Sequence, residues 1–168
     1  AQYWRSHGTT LAGMMDQHAM PPEAFLHFVH DIDFSPVPHS PELSSLISAL
    51  TGRKIVYTNG TKPYACRVLQ ARGLEQNFEA VYGIEHANYR PKPNAEAFAK
   101  VFERAAVTPH SAAMFEDDAR NLQVPASLGV RTVYISPDTG SPDYVDAKHQ
   151  DLEAFLSQLV AACFSKPS

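Results

Sequence analysis

Ala112-Ala113-Met114-Phe115-Glu116-Asp117-Asp118 decides the fold. A short apolar run stops at three consecutive acids, and Ala119-Arg120-Asn121-Leu122 then reads as helical. A run this short, bounded on both sides, suits a strand buried on both faces of a parallel sheet. Acids directly after such a strand lie at its carboxyl end, where open α/β sheets build their ligand sites. Three neighbouring carboxylates repel one another and call for a cation. Mg²⁺ suits them, because it takes one or two carboxylates and keeps several waters. The plainer alternative is an acidic first helical turn, stabilised by the helix dipole at a few tenths to about 1 kcal/mol per charge. The stretch by itself is balanced between the two, and its surroundings decide.

Working outward, the flanking segments alternate between strand and helix. Upstream, Lys54-Ile55-Val56-Tyr57 is β-branched and aromatic and reads as a strand. Thr58-Asn59-Gly60 breaks it, and a helix is expected from about Lys62 to Arg72, closed by Gly73. Ala80-Val81-Tyr82-Gly83 is a weaker strand. Asn94 caps a helix carrying Phe98, Val101 and Phe102. Downstream, Pro125 interrupts or restarts the helix after the acids, Arg131 to Ile135 is a strand, and Asp151 to Val160 is a final amphipathic helix. Strands alternating with helices predict an α/β fold: a three-layer Rossmann-like parallel sheet with helices on both faces.

The first part of the chain is helical in pattern. One segment begins near a threonine cap at Thr9-Thr10. Pro21-Pro22-Glu23 opens a second, whose Phe25, Phe28 and Val29 mark one apolar face. His27 and His30 read as surface or core-edge histidines. Ser35-Pro36-Val37-Pro38 is a rigid extended link. The chain therefore divides into a small helical piece, residues 1–36, and a main domain, residues 37–168. That domain opens with a helix capped by Ser40, with Pro41 at its first position, a stripe of Leu43, Leu46, Ile47 and Leu50, and Gly52 at its end.

Composition narrows the function. The chain has 168 residues, 44% hydrophobic, with a formal net charge of −4. That balance offers nothing to nucleic acid, and no uninterrupted apolar stretch is long enough to span a bilayer. No signal peptide is visible. Cys66 and Cys163 are far apart and in no metal-ligand spacing, so they read as free thiols of a cytoplasmic protein, with a single disulfide left open. The chain opens at Ala1 rather than at Met, which raises a processed or cut end.

Three places then stand out. Thr58-Asn59-Gly60 offers a hydroxyl and backbone amides ahead of a helix, the makings of an anion site. The alternative, a hairpin turn at Asn-Gly, is weakened by the helical Tyr64-Ala65-Cys66-Arg67-Val68-Leu69 that follows. Lys92, held between Pro91 and Pro93, presents a fixed charge suited to a phosphate. The acid cluster is the third. In a parallel sheet the ends of these strands converge on one edge. A hydroxyl, a lysine and carboxylates there are parts for phosphoryl transfer, where catalysis is mostly positioning and charge neutralisation.

"VYTNG", "RPKP" and "MFEDDARNL" resemble the second, third and fourth motifs of the haloacid dehalogenase superfamily. The likeness is to its pyrimidine 5′-nucleotidase-like branch, whose helical cap and return to the core resemble "YWRSHGTTLAGMM" and "HDIDFSP". The resemblance spans nearly the whole chain. It implies that Thr58 binds the transferring phosphoryl group and that the Asn59 and Gly60 amides assist. It further implies that Lys92 neutralises phosphate and nucleophile, and that Asp117 binds Mg²⁺ with Glu116 or Asp118 assisting. Asn121 stands where many relatives carry a further acid.

The family's first motif, an apolar strand ending in Asp-x-Asp, supplies the nucleophile and further Mg²⁺ ligands. It is expected to be absent, because the chain starts inside the cap. Asp31-Ile32-Asp33 imitates it, yet it follows a helical pattern and enters a proline link, so it reads as a solvated pair. The expectation is therefore a Mg²⁺-dependent phosphomonoesterase, acting on nucleoside monophosphates by resemblance, with weak or lost activity and weak Mg²⁺ binding. The alternative is a non-catalytic phosphate-binding, nucleotide-binding or protein-interaction module on the same fold. In the family the missing strand lies between Lys54–Tyr57 and Ala112–Phe115. Its loss leaves two open strand edges, which predicts either direct closure of the sheet or a homodimer using Tyr3, Trp4, Phe25 and Phe28.

Overall fold

The computed structural model describes residues 10–18 and 20–164. Thr9, Tyr3 and Trp4 lie outside the described residues, as does the side chain of Cys163. Cys66 is an exposed free thiol. Elements follow in the order α1 (Thr10–His18), α2 (Pro22–His30), α3 (Pro41–Ala49), β1 (Ile55–Tyr57), α4 (Lys62–Arg72) and β2 (Ala80–Tyr82). Next come α5 (Ala95–Arg104), β3 (Ala113–Glu116), α6 (Gln123–Ser127), β4 (Arg131–Ile135), β5 (Ala147–His149) and α7 (Leu152–Phe164).

Every strand pairing is parallel. β1 pairs with β2, Val56 opposite Val81. β3 pairs with β4, Phe115 opposite Val133, and β4 pairs with β5. One apolar cluster joins Leu43 and Ile47 of α3 to Leu74 and Leu156 of α7. Another gathers Ala97 and Val101 of α5 with Ala87, Tyr57 and Tyr82. Parallel strands with helices on both sides make the Rossmann-like fold.

The strands form two ladders, β1-β2 and β3-β4-β5, where the sequence suggests one sheet. Among the described residues β1 and β3 do not pair, so direct closure does not occur. The consequence is visible in burial. β4 buries Thr132, Val133 and Tyr134, as a strand with a neighbour on each edge should. β3 leaves Ala113 exposed and Phe115 36% exposed.

Local signals explain the helix boundaries. Asn94 caps α5 through Oδ1, which accepts from the Ala97 amide at 3.1 Å. Thr61 caps α4 in the same way, accepting from Tyr64 N at 3.3 Å. Gly73 ends α4 at φ 68°, a left-handed conformation that disfavours a side chain. Two readings need correction, and one strand has none. Ser40 precedes α3 but makes no side-chain cap; its hydroxyl accepts from Arg72 instead. The buried residue of α2 is Leu26, while Phe28 is 80% exposed, because α2 docks through Leu26 and Phe25 onto Ile84. Strand β5 carries no apolar run that could announce it, being Ala147-Lys148-His149.

Helices α1 and α2 meet the elements that follow them at defined contacts. Leu11 and Leu26 pack on Ile84, with Met15, Phe25 and Tyr89 around them. Arg67 of α4 donates to the His30 and Ile32 carbonyls at 3.3 and 3.2 Å. The His30 ring stacks on Tyr64 with centroids 4.1 Å apart.

Candidate functional site

Strand β1 delivers the first component. Thr58 N donates to Tyr82 O at 2.9 Å, carrying the β1-β2 pairing one residue past the strand. The chain then turns tightly, because the Thr58 hydroxyl accepts from the Gly60 amide at 3.0 Å. Helix α4 starts directly afterwards. The anticipated turn-to-helix geometry is thus present, and the hairpin alternative is not.

Asn59 works through its side chain. Its Oδ1 accepts from Lys92 N at 2.7 Å and its Nδ2 donates to Lys92 O at 3.2 Å. This two-way clasp fixes the backbone of Lys92 beside the Thr58 turn. Lys92 N is available because the prolines flank it rather than replace it, and the Lys92-Pro93 bond is cis.

Lys92 then reaches across both ladders. It is 7% exposed. Its ammonium donates to the Tyr57 carbonyl at 3.1 Å and pairs with Glu116 Oε1. The same nitrogen stands 5.2 Å from the centre of the Tyr57 ring. Tyr57 closes β1 and Glu116 closes β3, so one cation links the carboxyl ends of the two strands. Burial raises the Tyr57 phenol well above its ordinary value.

The three acids take three different positions. Glu116 is buried and its carboxylate is fully engaged. Oε1 accepts from Lys92 and, at 3.0 Å, from Asn121 Nδ2. Oε2 accepts from the Asp117 and Asp118 amides at 3.0 and 3.3 Å. Asp118 turns outward to Arg120, which donates from N, Nε and Nη2. That arginine holds the Asp118 carboxyl below its usual range. Asp117 is exposed, and its carboxylate has no hydrogen bond or ion pair to another described residue.

Thr58, Asn59, Gly60, Lys92 and Glu116 are therefore brought together, with Asp117 next along the turn. No group of three or more His, Cys, Asp or Glu side chains is gathered to hold a metal among the described residues. Among the described residues, the Asp117 carboxylate and the buried Asn121 Oδ1 beside Glu116 nevertheless have no hydrogen-bond partner. Hard oxygen donors of this kind fit Mg²⁺, which needs few protein ligands and keeps waters. Glu116 and Asp118, committed to Lys92 and Arg120, have less freedom to contribute.

Some contributions have no sequence signal. The side-chain role of Asn59 depends on Lys92, 33 positions away. Glu85 accepts from Lys62 N at 2.9 Å and so occupies the first amide of α4. Asp31 and Asp33 follow α2 and are exposed. Asp33 folds back on the Ser35 hydroxyl and amide, which hold its carboxyl below the usual range.

A sequence model of haloacid dehalogenase-like hydrolases matches residues 12–129. No curated protein sequence matches the chain. Solved structures show the same fold. A dehalogenase is 18% identical with TM-score 0.61, over 73% of this chain and 55% of its own. The chain thus spans about half the length of that relative. A HAD phosphatase from Thermococcus onnurineus is 16% identical with TM-score 0.61, over 99% of this chain and 91% of its own. The HAD-hydrolase YfnB from Bacillus subtilis, bound to magnesium, is 17% identical with TM-score 0.63, over 94% and 76%.

Proposed function

The chain belongs to the haloacid dehalogenase-like hydrolases, and from that premise we propose that it binds phosphomonoesters at the Thr58–Lys92–Asp117 edge as part of a phosphatase. The observation that carries this reading is the Lys92 ammonium. It is buried, clasped by Asn59 through its backbone, and placed between the last residues of β1 and β3. A lysine so fixed supplies charge to a phosphoryl group without reorganising, which is the main requirement of this chemistry. The Thr58 hydroxyl and the Asn59 and Gly60 amides lie on the turn next to it. Asp117, with water, would hold Mg²⁺ there. When bound, that ion neutralises phosphoryl oxygens.

Within the family, the sequence motifs favour the pyrimidine 5′-nucleotidase-like branch, and hence a nucleoside monophosphate as substrate in the cytoplasm. Turnover by this chain is weak or lost. Its one Asp-x-Asp, Asp31 to Asp33, sits on the exposed link after α2, with Asp33 engaged by Ser35. The same observation favours a second reading, a phosphate-binding module without turnover.

Isothermal titration with inorganic phosphate, with and without Mg²⁺, tests the binding. Saturable binding that disappears in Lys92→Met is expected, and its absence from the unaltered protein overturns the reading. Hydrolysis of p-nitrophenyl phosphate separates the alternatives. Rapid turnover abolished by Asp31→Asn or Asp33→Asn would reverse the assignment of that pair.

A further inference from the structure

The Glu116 carboxylate receives four hydrogen bonds, and Asn121 makes the only one that comes from a neutral side chain among the described residues. Asn121 is itself 7% exposed and lies in the turn 119–122 after the acids. We infer that Asn121 is a positioning residue: its carboxamide holds Glu116 against Lys92 and so fixes where the ammonium stands. This inference rests on Lys92 being the phosphate-neutralising group.

The geometry gives the reason. Two of the four donors are the Asp117 and Asp118 amides, and both bind Oε2. They anchor Oε2, about which the rigid carboxylate can still swing its other oxygen. Oε1 has only Lys92 and Asn121. Without Asn121 the one direct partner of Oε1 among the described residues would be a lysine on a flexible stem, and a point charge imposes little direction. Lys92 would then be free to leave the Tyr57 carbonyl.

Asn is suited to the task where an acid is not. A donor is required, since Glu116 offers only acceptors. The amide assignment follows from the same neighbour. Turning the carboxamide over would set Oδ1 against Glu116 and give up a hydrogen bond to a charged group. The remaining Oδ1 has no partner among the described residues, so Asn121 keeps its donor on Glu116 at the cost of an unsatisfied acceptor. Such an acceptor in a buried place is unfavourable, which marks the donor bond as the interaction that sets the side chain.

A double-mutant cycle decides the matter. Inorganic phosphate affinity is measured for the unaltered protein, Asn121→Leu, Glu116→Gln and the pair. Leu has a similar size and no donor. Asn121→Leu is expected to weaken phosphate about tenfold, in keeping with one hydrogen bond to a charged group. In the Glu116→Gln background the same change should cost less than about twofold, since its effect runs through Glu116. A packing role alone would give equal factors in both backgrounds, and that result overturns the inference.

A second readout needs no phosphate. The Lys92 ammonium should give a slowly exchanging 15N signal, assigned by its loss in Lys92→Met. It should persist in the unaltered protein and vanish in Asn121→Leu. Persistence in both overturns the inference. If the unaltered protein binds no phosphate, the functional reading fails while this signal still judges Asn121. Should Asn121→Leu not fold, Asn121→Ser, whose hydroxyl is too short to reach Oε1, takes its place in both measurements.

Discussion

Lys92 shows how much one side chain can be asked to do. Its ammonium lies in a nearly dry place, where an unpaired charge is costly, and Glu116 compensates it. The pair differs from the exposed pairs elsewhere in the chain. Arg53 and Glu79 are each about half exposed, and such pairs contribute between zero and about 1 kcal/mol. Removing one partner of a buried pair costs more, about 3 kcal/mol, because the other is stranded. Lys92→Met should therefore lower stability by about 3 kcal/mol in urea unfolding and also abolish phosphate binding. A loss under about 1 kcal/mol would mean that water already reaches Glu116. The companion change Arg53→Met should lie within about 1 kcal/mol of the unaltered protein.

At the scale of elements, two joints can be tested. The first is Gly73, the left-handed end of α4. A methyl added there meets the His39 ring as well as the strained φ. Gly73→Ala should destabilise by more than about 1 kcal/mol in the same unfolding measurement. Gly52 also has a positive φ but open space around it. Gly52→Ala should then cost only the conformational part, so Gly73→Ala is the larger loss of the two.

The second joint ties the approach to β5 onto β4. Asp146 accepts from Thr132 N at 2.8 Å and from Thr132 Oγ1 at 3.1 Å, and Arg131 stands at 3.3 Å. The Thr132 amide first, and then its hydroxyl and the Arg131 charge, hold the Asp146 carboxyl below its ordinary value of 3.8. The sign follows from linkage. A carboxylate depressed in the folded state adds stability that is present above its unfolded pKa and lost as pH falls through the folded one. Asp146→Asn should therefore be less stable than the unaltered protein at pH 7. The gap should close as pH drops from about 4 to below the depressed folded value. Melting curves recorded across that range check it, and a gap that stays constant contradicts the assignment.

For the whole molecule, the prominent feature is the division into two ladders. β1 and β3 each have one edge without a strand beside it among the described residues. Phe115 on β3 is 36% exposed, and Phe28, Val29 and Ile32 add apolar surface around α2. Open strand edges are templates for pairing with another chain, and apolar patches of this kind mark contact sites. A homodimer burying more than about 1,000 Å² is the expected outcome. Light scattering after size exclusion checks it: a single monomeric mass at micromolar concentration contradicts the dimer. No described helix is long and apolar enough to cross a membrane.

What the sequence by itself determined is what short-range physics controls. Ile55-Val56-Tyr57 and Arg131 to Ile135 announce strands because branched and aromatic side chains crowd a helix and suit a pleat. Asn94 and Gly73 mark helix ends because capping needs only neighbours three or four residues away. The order of Thr58, Lys92 and the acids was legible for the same reason, each lying just past a strand or in the loop that follows one. Tertiary structure decided the rest. Which of three adjacent acids would be buried depended on Lys92 arriving from another loop, 24 positions away. Asn59 became a clasp only once Lys92 stood opposite it. Phe28 faces outward because α2 packs onto Ile84 through Leu26 on its other side. Strand β5 formed from Ala147-Lys148-His149 because β4 offered an edge to pair with. Local propensity acts over a few residues, whereas the partners that fix charge, exposure and pairing come from elsewhere in the chain.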